Sequence, residues 1–157
     1  FACCFETKPR RKINFTSWLR KRLLTFVHRS NLEKRMAPER KFYQKIKRAF
    51  SDFSLIRLEN NSLHGTPDLL VCNANGHFFT IELKVTKSNK VNLSPHQIAF
   101  HVKHPHNTFI MVEALGSGSV KLFRGSRIME LEACGLQLEA CCLGLEACEL
   151  FLSKLGA

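Results

Sequence analysis

The sequence predicts a mixed α/β domain with a central β-sheet flanked by helices. Three observations predict it. Residues 69–84 read as two strands around a tight turn, residues 37–50 carry the spacing of an amphipathic helix, and Ser94-Pro95 opens a second helix. With a strand before the hairpin and another after the second helix, the expected order is helix, three strands, helix, strand (αβββαβ).

The hairpin is the stretch around which the other elements arrange. Leu69-Leu70-Val71-Cys72 is an apolar run, and His77 to Lys84 alternates. Asn73-Ala74-Asn75-Gly76 joins them, and Gly76 takes a positive φ at no steric cost. Asp68 then stands at the start of the first strand and Glu82 near the end of the second, so the two ends lie side by side. Glu82 and Lys84 are two apart and share a face. Two carboxylates and an ammonium converge, a set suited to holding a divalent cation and steadying a water that attacks a phosphate. Mg²⁺ is the expected ion and Mn²⁺ its substitute. Asp68 also reads as a turn acid after Pro67, but that accounts for one residue where the site accounts for three. Gly65 lets the backbone turn sharply onto the strand or approach a phosphate.

The other elements follow in order. In the helix over Ala37–Phe50, Pro38 fits the first turn, and Phe42, Ile46, Ala49 and Phe50 form the buried face. Lys41, Lys45, Lys47 and Arg48 face elsewhere and are candidate phosphate contacts. Glu39 favours the positive end of the helix dipole. Ser54–Glu59 alternates as a first strand, with Glu59 either a peripheral ligand or a solvated strand end. A polar loop over Thr86–Asn92 carries Lys87 and Lys90. Ser94 suits an N-cap and Gln97 completes a capping box, on a helix running to about Lys103 that packs Ile98, Ala99 and Val102 on the sheet. His96, His101, His104 and His106 lack zinc spacing and read as surface or loop histidines. Asn107–Glu113 is a buried strand, and Val120–Phe123 another with Lys121 exposed. Arg124 and Arg127 offer two more phosphate contacts.

The composition is strongly basic. The 157 residues carry 24 Lys and Arg against 13 Asp and Glu, a net charge of +11. Residues 8–50 hold fifteen of those cations and only two acids, Glu33 and Glu39. This points to a polyanion, with nucleic acid before an anionic membrane; a solvated basic tail is the plainer reading. No apolar run is long enough to span a membrane, no secretory signal is read, and seven Cys without a CxxC pair suggest reduced thiols in a cytoplasmic protein. Three regions are expected: a basic extension over 1–35, a domain over 36–128 and a tail over 129–157. Residue 1 is Phe, and Met36 is read as a candidate native start. Within the extension, Phe15–His28 reads as a basic amphipathic helix for DNA or a membrane surface, or as an unstructured leader. The tail repeats Leu-Glu-Ala-Cys at 131, 138 and 145, giving a stripe for a dimerising helix or one packed on its own domain. Gly135 and Gly144 oppose one continuous helix.

Pro67-Asp68, thirteen residues, then Glu82-Leu83-Lys84 resembles the PD-(D/E)xK nuclease superfamily. Gly65-Thr66-Pro67-Asp68 with Gln97 downstream is similar to its VRR-NUC branch, related to the Holliday junction resolvases. The resemblance covers roughly Met36 to Arg127. It implies a restriction-endonuclease-like core and a Mg²⁺-dependent endonuclease cutting branched or junction DNA, with Asp68, Glu82, Lys84 and Gln97 catalytic. It also implies Asp68, Glu82, the Leu83 carbonyl and Glu39 as metal ligands, and gives Gln97 a contact to the catalytic Lys or the scissile phosphate. Lys41, Lys45, Arg48, Lys87, Lys90 and Arg127 would grip DNA, and a homodimer would match the symmetry of a junction. A sequence-reading homing or restriction-like endonuclease is the alternative within this chemistry. A non-catalytic nucleic-acid-binding module is the alternative outside it.

Overall fold

The expected hairpin forms the middle of the sheet. Strand β2 (Leu69–Cys72) pairs antiparallel with β3 (Phe78–Thr86), Leu69 opposite Ile81 and Cys72 opposite Phe78. Gly76 closes the turn at φ 72°. The structure is a computed structural model and describes residues 37–58 and 65–157. The basic extension, its helix over 15–28 and Glu59 lie outside the described residues.

The elements run α1 (Pro38–Ala49), β1 (Ser54–Arg57), β2, β3, α2 (Pro95–Lys103), β4 (Thr108–Ala114), β5 (Ser119–Arg124), α3 (Ile128–Cys134), β6 (Cys142–Leu143) and α4 (Leu145–Ser153). This is a mixed α/β fold with a six-stranded sheet in the order β1-β2-β3-β4-β5-β6. Only β3 and β4 are parallel; every other neighbour is antiparallel. A parallel neighbour requires a crossover, and α2 supplies it.

Strand alternation gives the sheet two faces. On one, Leu69, Ile81, Leu83 and Met111 pack with Phe42 and Ile46 of α1 and with Cys148 and Leu152 of α4. On the other, Ile110, Val112 and Phe123 pack with Ile128 and Leu131 of α3 and with Val91. Glu82 and Lys84, being even-numbered on β3, stand on the second face, beneath α2.

Two expectations are corrected. The first concerns α2, which turns Gln97, Ile98 and His101 inward and leaves Val102 56% exposed. The face is rotated by about one residue because Gln97 bonds inward to the sheet.

The second concerns the tail. Residues 37–157 form one compact unit, so the tail is part of the domain. Its stripe is not one helix: Gly135 (φ 59°) and Gly144 (φ 94°) divide it into α3, β6 and α4. Leu131, Leu138, Cys148 and Leu152 are buried in the chain's own core. Of the two readings of the stripe, packing on its own domain is the one these residues show, while Cys134 and Cys141 remain exposed. The five described cysteines are all free thiols. No described helix is long and apolar enough to cross a membrane.

The hairpin turn holds this tail. Asn73, 4% exposed, donates its Nδ2 to the carbonyls of Leu152 (3.0 Å) and Leu155 (2.8 Å). Its Oδ1 accepts from the amides of Asn75 (3.1 Å) and His77 (3.0 Å). Helix C-terminal carbonyls lack intrahelical partners, so one buried amide caps α4 and shapes the turn together. Asn73→Ala is expected to lower the unfolding free energy by about 1–3 kcal/mol. The exposed Asn75, which donates to Ser153 and Leu155, should lose less on the same change. Urea denaturation of the two variants measures both losses.

Candidate active site

The register of the hairpin places the acids. Leu69 opposite Ile81 sets Asp68, the residue before β2, across from Glu82. Directly opposed residues of an antiparallel pair share a face, so Asp68, Glu82 and Lys84 converge as expected. Asp68 is fixed by its Oδ2, which accepts from the amide of Leu83 at 2.8 Å. The β2 ladder ends at Leu69 opposite Ile81, and beyond it the Asp68 carboxylate serves the Leu83 amide. The N–H and C=O of an extended residue point to the same edge of the strand, so the Leu83 carbonyl also turns toward Asp68. Its side chain points into the α1-facing core.

Glu82 is 1% exposed. Its Oε1 accepts from Lys84 Nζ at 2.9 Å and from Gln97 Nε2. Gln97 completes the capping box, and its side chain also reaches the site, though not through the contact expected for it. Its Oε1 accepts from the Ser94 amide (3.0 Å) and Ser94 Oγ accepts from its amide (3.2 Å), completing the capping box. Its contact is with the carboxylate that Lys84 also binds, rather than with Lys84. Gly65 (φ 89°) brings the chain against α2, where a Cβ would lie 2.4 Å from the His96 carbonyl oxygen. Only glycine allows that approach, which puts the Asp68 strand and the Gln97 helix at one end of the sheet.

Burial is the first cause that pushes the Glu82 carboxyl up to about 7; the charge of Asp68 adds to it, Lys84 opposes it, and Glu39 adds a smaller upward push. Glu39, in the first turn of α1, is therefore within electrostatic reach of the site. The other oxygen, Oε2, is buried without a hydrogen-bond partner. Among the described residues no three His, Cys, Asp or Glu side chains gather into a metal cage. Mg²⁺ does not need one, because it retains waters and binds through one or two carboxylates. Asp68 and Glu82 fit such an ion, and the unpartnered Oε2 is the atom best placed to ligate it. The Leu83 carbonyl and Glu39 are the further oxygens at hand.

The expected polyanion contacts divide. Lys87, Lys90 and Arg48 are exposed and Lys41 is half-buried. Lys45 is bound to Glu113, a carboxylate 3% exposed on β4, so it first neutralises a buried acid. Arg127 is held by Glu130 (2.7 Å from Nη2) and by the Glu139 carbonyl (3.2 Å). Lys121 is half-buried, not exposed, and donates to the Leu136 carbonyl at 2.7 Å. His101 is buried beside Thr108 and Gly125, and burial lowers its pKa to about 4. It is a neutral core residue rather than a surface one. Glu113 was legible only as the polar end of an apolar strand, and nothing in the sequence linked it to Lys45.

No family model matches the chain, and no curated protein matches it.

Two predictions follow from the acids. Unfolded, Glu82 titrates near 4.5; folded, near 7. The folded state thus holds the extra proton between these values, and stability falls as pH rises through about 7. The ionised carboxylate costs at most roughly 3 kcal/mol. Glu82→Gln should therefore raise the unfolding free energy at pH 8 in EDTA by about 1–3 kcal/mol, with the gain shrinking toward pH 4.5. His101, present in both proteins, cancels in the difference. Lys45→Met should lower stability by about 1–3 kcal/mol by leaving Glu113 without its counter-charge, less than for a fully buried pair because Lys45 is half-exposed. Adding Glu113→Gln should restore most of that loss in urea titrations.

Proposed function

We propose that the chain is a metal-dependent endonuclease that hydrolyses DNA phosphodiester bonds, of the PD-(D/E)xK type with a restriction-endonuclease-like core. One observation carries this reading. Asp68 and Glu82 face each other on adjacent strands, share a face with Lys84, and leave a buried carboxylate oxygen without a partner. A binding module gains nothing from a buried acidic pair beside a polyanion, since it would repel the phosphates. A metal site needs that pair.

Each residue has a distinct task. Asp68 and Glu82 would hold Mg²⁺, with the Leu83 carbonyl and Glu39 as further oxygens. When bound, the ion polarises a phosphoryl oxygen and lowers the pKa of a ligated water. Gln97 fixes the Glu82 carboxylate by one oxygen and leaves the other open. Lys84, half-buried beside it, orients the attacking water and stabilises charge developing on the phosphate. Lys87 and Lys90, three and six residues beyond Lys84, hold the flanking backbone without reading bases. The order of helix, three strands, crossover helix and parallel strand supports the nuclease likeness, as does the position of Gln97 on the crossover helix. Branched or four-way-junction DNA is the expected substrate.

The test incubates the protein with labelled four-way junction, flap, linear duplex and single strand, in Mg²⁺, Mn²⁺ or EDTA. Cutting is expected only with metal. Lys84→Ala and Asp68→Asn should each reduce it at least about 100-fold while DNA binding persists. Tight binding with no cutting in any metal would overturn the enzyme reading in favour of a binding module.

A further inference from the structure

We propose that Asn89 is a positioning residue, clasping the loop over 87–93 to the C-terminal end of α3 so that Lys87 and Lys90 form a preformed rail for the DNA backbone beside Lys84. This rests on the nuclease reading and adds to it a role for the tail.

The loop leaves β3 at Thr86 and enters α2 at Ser94, so its two ends adjoin Lys84 and Gln97. Lys87 and Lys90 project from it and are exposed. A loop of this polarity has no reason of its own to hold one shape, and three attachments give it one. At its start, Thr86 Oγ1 donates to the Lys90 carbonyl at 2.8 Å and accepts from the Ser88 amide at 3.2 Å. Thr86 and Lys84 share a strand face about 7 Å apart, so the backbone of Lys90 is tied to the next residue on the face that carries Lys84. Farther on, Val91 is 1% exposed, inserted among the residues that α3 covers.

Between them stands Asn89. Its Nδ2 donates to the Cys134 carbonyl at 3.1 Å, and its own carbonyl accepts from the Leu136 amide at 2.8 Å. The side chain thus serves a terminal carbonyl of α3 that has no partner inside the helix. The approach is close. At Gly135 (φ 59°) a Cβ would lie 2.2 Å from the Asn89 carbonyl oxygen, so no other residue fits there without moving the loop. The clasp removes in advance the entropy that two lysines on a free loop would lose on meeting phosphates.

The experiment measures binding of labelled duplex and four-way junction to the whole chain in EDTA, across a salt series. Lys87→Ala and Lys90→Ala should each weaken binding about three- to ten-fold and lower the salt slope by about 0.9. Asn89→Ala changes no charge, yet should weaken binding by a similar factor and lower the slope. Combined with both lysine changes, it should add no further loss. Gly135→Ala, which reaches the loop from the α3 side, should reproduce its effect. Exchange of the Leu136 amide should quicken in the Asn89 variant, with the melting temperature recorded alongside. Unchanged affinity in both the Asn89 and Gly135 variants sinks the clasp, as does a loss that simply adds to those of the lysines; the nuclease reading survives either result. Wild-type protein that fails to bind DNA overturns both.

Discussion

The register of β2 against β3 is the constraint on which the site depends. Because side chains alternate along a strand, a slip of one residue would carry Glu82 and Lys84 into the core and bring Leu83 out. The slip is prevented from both ends. At the turn, Asn73 is tied to its own loop and to α4. At the site, the Asp68 carboxylate takes the Leu83 amide. Between them, Leu69, Val71, Phe79 and Ile81 are buried on one face, in the core covered by α1 and α4. The chemistry therefore follows from a packing decision made over four residue pairs.

The tail secures that decision. Residues 129–157 carry a repeat that suggests an independent helix, yet they return along the sheet as two helices and a short edge strand. α4 closes the core face opened by α1, and its end is capped from the hairpin turn. α3 covers the other face and holds the loop after β3. One end of the hairpin is thus buttressed by α4, and the loop beyond its other end by α3.

Much of this was legible in the sequence, and the misses have common physical causes. Element positions followed from local signals: the Ser94-Pro95-x-Gln97 box starts α2 where it should, and the apolar run 69–72 is β2. Asp68, Glu82 and Lys84 could be brought together because strand periodicity and hairpin geometry are short-range rules; Gln97 was placed beside them only by the family resemblance. The failures involve partners far apart in the chain. Lys45 meets Glu113 across 68 residues and Asn73 meets Leu152 across 79, and neither spacing leaves a pattern in sequence. The tail was left open because its seven-residue period is compatible with either a partner helix or the chain's own core, and only the volume left beside α1 decides between them. The face of α2 was misjudged because hydrophobicity favoured Val102, whereas a hydrogen bond from Gln97 to a buried acid set the rotation.

Two buried glutamates differ in how fully their charge is met. Glu113 lies on the α1 face, and its charge is met by Lys45 from the neighbouring helix. Glu82 lies on the opposite face, where Lys84 and Gln97 both bind the same oxygen. Asp68 and Glu39 add negative charge nearby, and the second oxygen is left with nothing to accept from. Burying a carboxylate without full compensation is unfavourable, and a sequence selected for stability alone would replace it. A cation brought between Asp68 and Glu82 would relieve both the repulsion and the unpartnered oxygen. The deficit at Glu82 is thus only partly met by the ammonium of Lys84, which binds one carboxylate oxygen and leaves the other buried without a partner.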